Sequence, residues 1–269
     1  MQVWIAALSE LSYIGTMLST EYYYGSYQNF VQQLISTVVE YVGWATLSDN
    51  VVADHNQALL RSTILKYAVK YQVIEIMDVA YFEIWLPFRE NGTYIAPDDR
   101  EAVYCAALKY GTETDYWFLL SVLNRTDNAS EQRRLISALG CPNQYFLLKH
   151  SLDISMDPAI IRPQDQSAVL SAVGANPLGR DLAWNFVQAN WNTFNTLGFG
   201  VSRVIEATTQ DFNDVFHLNQ VKTFFEDNPA EGAASVMEES IEYIKQNIIW
   251  VANNSDPLSR FLSSYASPV

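Results

Sequence analysis

The sequence predicts an all-α protein built as an array of antiparallel helices, an α-solenoid. Three observations carry that prediction. Apolar residues recur at steps of three and four through most of the chain. Only 11 Gly and 9 Pro among 269 residues leave little room for the tight turns of an all-β protein. After Pro97 the helical segments shorten to roughly three turns each, as in arrays where every helix pair buries its apolar face on its neighbours. No fixed-length repeat with a signature is visible, so the repetition is one of structure and not of text.

Taken in order, Trp4, Ala7, Leu8, Leu11 and Ile14 mark the first helical face. A tyrosine-rich turn, Tyr22 to Tyr27, enters a second helix carrying Phe30, Val31, Leu34, Ile35, Val38, Val42 and Trp44. Asp49 to Asp54 is a polar break whose aspartates cap the next helix, with Leu59, Leu60, Ile64, Leu65 and Ala68. The β-branched residues of Val73 to Trp85 suit a strand, but Ile74, Met77, Ala80 or Tyr81, and Ile84 keep helical spacing, and the segment reads as helix. Arg89 to Ala96, with Asn91-Gly92, is a turn, and Pro97-Asp98-Asp99 opens a helix through Val103, Ala106 and Ala107. Helices follow at Thr114 to Leu123, Ser130 to Leu139 and Pro142 to Leu152.

Ile160 to Trp191 reads as a helical hairpin with a sharp Asn-Pro break. Asn176 is placed to N-cap the second helix, with Pro177 at its first position, where a missing N–H costs nothing. Leu182, Ala183, Phe186, Val187, Trp191 and Phe194 form its oily face. Gly198 and Gly200 read as a helix end. Asn228-Pro229 repeats the Asn-Pro start and leads to an amphipathic helix with Met237, Ile241, Ile244, Ile248 and Val251 on one side. A final helix, Pro257 to Leu262, runs into a small polar tail expected to be disordered. No linker divides the chain, so residues 1–264 are expected to form one domain and 265–269 a tail. A chain that starts directly inside a helix reads as a piece of something longer.

With 30 acidic and 16 basic side chains the net charge is −14, which opposes binding to phosphate backbones, and no Lys/Arg cluster stands out. No nucleic-acid partner is expected, and the acidity reads as solubility. There is no signal peptide, and no uncharged apolar run nears the roughly 18–20 residues that span a bilayer, so no membrane contact is expected. His55, His150 and His217 show no H-E-x-x-H or close spacing, and there is no C-x-x-C, G-x-S-x-G or phosphate-cradling loop. No metal and no catalytic residue is expected in this chain. Arg162, Asp165 and Arg180 flank the apolar hairpin and read more readily as caps or ion pairs than as ligand contacts. Cys105 and Cys141 fit two buried thiols or one disulfide equally. Sequons at Asn91, Asn124, Asn128 and Asn253 lean towards a secreted setting.

Several segments together resemble a known family. IIRPQDQ (Ile160 to Gln166), NPLGRDLAWNFVQANW (Asn176 to Trp191), VKTFFEDNPAEG (Val221 to Gly232) and IEYIKQNIIWVANN (Ile241 to Asn254) occur in the order and near the spacing of the family's motifs. AVYCAAL around Cys105 and NASEQRRLISALGC ending at Cys141 also match. Over nearly its whole length the chain resembles the C-terminal helical domain of the zinc aminopeptidases of the aminopeptidase N and endoplasmic-reticulum aminopeptidase family. The resemblance implies a HEAT-like, bowl-shaped array, a Cys105–Cys141 disulfide, and an extracellular or lumenal setting.

It further implies that the domain caps a catalytic chamber, gates or contacts peptide substrate, and in some members dimerises. Its partners are then the catalytic domain of the same polypeptide and peptides, and Arg162, Gln164 or Arg180 are the residues to meet a peptide carboxylate. The zinc belongs to the family's catalytic domain, whose H-E-x-x-H and G-x-M-E-N motifs are absent here, so this chain alone should hydrolyse nothing. A second cysteine pair of many members falls near Val69 and Ile76, an apolar replacement. The alternative is a helical-repeat module that binds a protein partner, or a receptor-like or dimerisation module without peptidase activity.

Overall fold

The computed structural model describes residues 2–44, 55–196, 200–230 and 232–266. Helices α1 (Gln2–Leu18), α2 (Tyr24–Val42) and α3 (His55–Lys70) open the chain. The aspartates of the 49–54 break lie outside the described residues. Next comes one continuous helical rod, α4 (Ile74–Asp78), a π-helical stretch (Val79–Trp85) and α5 (Leu86–Asn91). Helices α6 (Arg100–Tyr110), α7 (Glu113–Leu123), α8 (Ala129–Ala138) and α9 (Tyr145–Ser155) follow. The last third holds α10 (Gln166–Gly174), α11 (Arg180–Ala189), α12 (Trp191–Thr196), α13 (Val201–Thr209), α14 (Val215–Asp227) and the long α15 (Ala234–Leu262). Among the described residues there is no strand, and the all-α reading holds.

An inner row of helices runs α3, α6, α8, α10, α13, α15, each packed on the next. The π stretch and α7 lie on α6, α9 on α10, and α14 on α15, forming an outer layer. This is the two-layered construction of a helical solenoid. The array then turns back on itself, because α15 also packs on α1 and α2. That seam is rich in hydroxyls. Tyr13 Oη donates to Asn247 Oδ1 at 3.2 Å, and Tyr23 Oη donates to the Ser255 carbonyl at 3.1 Å. Tyr22 meets Ser259 at 3.0 Å, and Asn213 Nδ2 reaches the Met17 carbonyl at 2.9 Å. A turn at Ser263–Tyr265 completes it, with Tyr265 against Phe30 and its carbonyl accepting from Asn29.

Two apolar cores fill the layers, one under α1 to α4 and a larger one under the rest. They meet at α6. Ala102 and Ala106 face the first core, and Val103, Tyr104, Ala107 and Leu108 the second. Three alanines within eight residues let neighbouring helices approach this one closely. Val69 and Ile76 are both buried in the first core as part of its apolar packing. The Cys105–Cys141 disulfide is formed, with Cα atoms 5.3 Å apart, and ties α6 to the connection after α8.

Four local expectations need correction. Asn176 does not cap the following helix, because its side chain is used elsewhere. Its Nδ2 donates to the carbonyls of Gly140 (2.8 Å) and Pro142 (3.0 Å), and its Oδ1 accepts from the Leu178 N–H. Helix α11 therefore starts at Arg180, with Gly179 at the N-cap and Pro177 in the preceding turn. Asn228 likewise closes α14, its amide donating back to the Phe224 carbonyl, and α15 starts only at Ala234. Pro257 does not open a separate helix but lies inside α15. The Asn253 carbonyl it leaves unpaired belongs to an exposed residue, so water can satisfy it. Gly200, in the left-handed region at φ 77°, precedes α13 and ends no helix, and Gly198 lies outside the described residues.

Two buried carboxylates bind the layers together. Asp115, fully buried at the start of α7, accepts from Trp85 Nε1 (2.7 Å), Tyr81 Oη (3.0 Å), Arg89 Nη1 (2.6 Å) and the Thr112 N–H (2.7 Å). Tyr81, Trp85 and Arg89 follow one another at four-residue steps, which sets them on one side of the rod. Burial pushes the Asp115 carboxyl up, but the Thr112 N–H, the Trp85 and Tyr81 donors and Arg89 outweigh it and hold it below the usual carboxylate range. Glu131 on α8 does the same for α6, bonded to Tyr104 and paired with Arg100 at 2.9 Å.

Replacing Asp115 with Ala leaves the buried Trp85 and Tyr81 donors without their acceptor and takes from Arg89 the nearer of its two carboxylates. Urea unfolding should show a loss of about 3 kcal/mol or more. At Gly140 an added Cβ would stand 2.0 Å from the Ala172 carbonyl oxygen on α10. Gly140→Ala should then destabilise the chain by roughly 2 kcal/mol, and unchanged stability would show that α8 and α10 can separate freely.

Candidate functional site: a cationic cavity inside the array

A half-open cavity of about 700 Å³ lies where α3, α6, α8 and α10 face α1 and α2. Its wall comes from α1, α2, α3, α6, the end of α8, α10 and the Asn176–Arg180 segment. The Cys105–Cys141 disulfide is part of that wall. A space of this size suits a ligand of several residues and exceeds what one ion fills.

The wall is basic although the chain is acidic. Lys66, Lys70, Lys109, Arg133 and Arg180 line the cavity, against only Glu101 and Asp165. Both acids already have partners, Lys66 at 2.7 Å from Glu101 and Arg162 at 2.7 Å from Asp165. Lys70, Lys109 and Arg180 join no ion pair among the described residues. Lys70 is held by Ser12 Oγ on α1, and Lys109 Nζ donates to the Lys70 carbonyl at 3.2 Å. The Arg180 residue is 6% exposed, and its buried Nε has no hydrogen-bond partner among the described residues.

Burial lowers the Lys70 ammonium and the Arg180 guanidinium, with Asp211 the main opposing charge in both cases. Burial likewise raises the Asp211 carboxyl, which Arg180 and Lys70 only partly counter. Lys109 is brought down to about 8, first by burial and then by the neighbouring Lys70 charge. Deep cations that lack full compensation make this the place where an anion would be held most strongly.

Of the three residues expected to meet a peptide carboxylate, only Arg180 lies on the cavity. Arg162 is paired with Asp165 on the surface, and Gln164 is exposed and not part of the wall. Lys70 and Lys109, which complete the cluster, have no signal in the sequence, because 39 positions separate them and each ends an ordinary helix. The histidines do not meet. His150 contacts Tyr116 Oη at 2.9 Å, while His217 bridges Asp214 and Asp181. Among the described residues no group of three or more His, Cys, Asp or Glu side chains is placed to hold a metal ion. No described helix is long and apolar enough to cross a membrane. All four sequon asparagines are exposed, and Asn128 caps α8 through its Oδ1.

Fold and cavity define a non-repetitive helical-array domain that holds a basic cavity. A family model described as the ERAP1-like C-terminal domain matches residues 1–246, and the chain belongs to that family. It is 30% identical over 265 residues to aminopeptidase Ey of Gallus gallus, covering 94% of this chain and 27% of that protein. It is 29% identical to human aminopeptidase N, again over 94% of this chain and 27% of the relative. Glutamyl aminopeptidase of Bos taurus is 28% identical, over 95% of this chain. The chain thus spans about a quarter of the length of the curated relatives it matches.

The depressed Lys109 amine has a consequence for stability. Between pH 8 and 10.5 the unfolded chain holds a proton on Lys109 that the folded chain has released, so stability rises with pH across that window. Lys109→Met should therefore be more stable than the parent near pH 7. By pH 10 that advantage should shrink by roughly 2–3 kcal/mol in urea unfolding. A difference that stays flat with pH would mean that the amine is not held down.

Proposed function

We propose that this chain is the non-catalytic C-terminal domain of a zinc aminopeptidase and that it caps the catalytic chamber. In this reading the parent enzyme removes N-terminal residues from peptides, and the domain gates or contacts the peptide as it enters. The observation that carries the reading is the basic cavity inside the array. Its position within a domain of this family, and its unmatched cations in a chain of net charge −14, suit the anionic end of a peptide. The printed names of the relatives, all aminopeptidases, support the same activity for the parent. The zinc would be held by the catalytic domain of the same polypeptide. The disulfide and four exposed sequon asparagines favour an extracellular or lumenal setting.

The test is an assay with a panel of aminoacyl fluorogenic substrates on this chain and on the full-length polypeptide, each with and without a zinc chelator. The chain alone should be silent and the full-length polypeptide should show chelator-sensitive cleavage. Silence of both would assign the chain to a binding or receptor-like protein, and cleavage by the chain alone would overturn the reading.

A further inference from the structure

The cavity holds more positive charge than one carboxylate can answer. Lys70 lies within Coulombic reach of both Lys109 and Arg180, so the three form one cluster. Asp211 acts on Lys70 and Arg180, Asp181 and Asp214 also act on Arg180, and none of these three acids lines the cavity. On the wall itself five cations face only two acids, so positive charge is in excess there. Glu101 and Asp165 are both already paired, with Lys66 and Arg162.

The three cations also differ in what they recognise. Arg180 presents a planar fork that can take a carboxylate through two parallel hydrogen bonds, and its Nε is already desolvated and unpartnered. Lys70 and Lys109 are point charges brought in from α3 and α6, able to hold a second acid beside the first. Tyr24, Tyr67 and Ala172 supply apolar surface in the same wall for a short aliphatic stem. A single small ion would leave most of a 700 Å³ space unfilled.

We propose that Lys70, Lys109 and Arg180 form a subsite for a peptide end bearing two carboxylates, namely a C-terminal aspartate or glutamate with its free terminus. The inference rests on the peptide-contacting reading above and adds a preference for acidic last residues. The terminal carboxylate and the side-chain carboxylate are bound together, so that removing either charge loses the preference.

Isothermal titration calorimetry on the 269-residue chain can test this with three decapeptides of one sequence. They end in glutamate, in glutamine, and in glutamate with an amidated terminus, and inorganic phosphate serves as a fourth ligand. The free glutamate end should bind at least about ten-fold tighter than the other two peptides, and the gap should narrow as salt is raised. Arg180→Gln and Lys109→Met, checked for native circular dichroism, should each remove the gap. The peptide comparison itself needs no variant, so it stands even if one fails to fold. Equal binding of the three peptides would overturn the acidic preference and leave peptide contact intact. Binding of none of them would overturn peptide contact itself. Phosphate binding tighter than the glutamate peptide would reassign the cluster to a small-anion site and overturn the proposal.

Discussion

The architecture depends on α6 being buried on both sides. Most helices in a two-layered array have one wet face, but this one separates two cores and supports the π stretch, α7, α3 and α8 at once. Its alanines allow that crowding, and its longer side chains fix the neighbours. Cys105 bonds to the connection after α8, Tyr104 and Arg100 bind Glu131, and Lys109 reaches the end of α3. The helix that organises the packing therefore also delivers a cation and half of a disulfide to the cavity wall. Structure and candidate site share one scaffold, and a perturbation of either is felt by both.

Most of the fold was legible because helical periodicity is a local signal. The faces built on Ile64, Leu65 and Ala68, or on Met237 and Ile244, are buried as their spacing requires. Even the ambiguity between Ala80 and Tyr81 had a physical basis, since a π-helical stretch shifts the apolar register there. The helix starts failed where a local rule met a distant partner. Asn176 has the chemistry of a cap, but the carbonyls of Gly140 and Pro142, more than 30 positions away, claim its amide. Asn228, followed by a proline, has the signature of a helix start and instead closes the previous helix.

The candidate site was much less legible, for the same reason in stronger form. Arg180 stood out because a charge adjoined an apolar hairpin. Arg162 looked equivalent in the sequence, yet an acid three residues along occupies it. Lys70 and Lys109 sit at helix ends, where cations are ordinary because they favour the negative end of the helix dipole. Only folding brings those two ends together with Arg180. A site assembled from three separate helices leaves no linear motif, and charge counting along the chain averages it away.

The closing seam differs in kind from the rest of the array. Between neighbouring inner helices much of the contact is apolar, and separating them exposes that surface to water at a steep cost. Where α15 returns to α1 and α2, aromatic and apolar packing around Phe30, Trp250 and Leu262 is joined by hydroxyl and amide contacts of Tyr13, Tyr22 and Tyr23. Water can replace such partners at little net loss. The ring is thus a bracelet with one clasp. Clasp and chamber share α1 and α2, so a change at the seam reaches the chamber wall through those two helices.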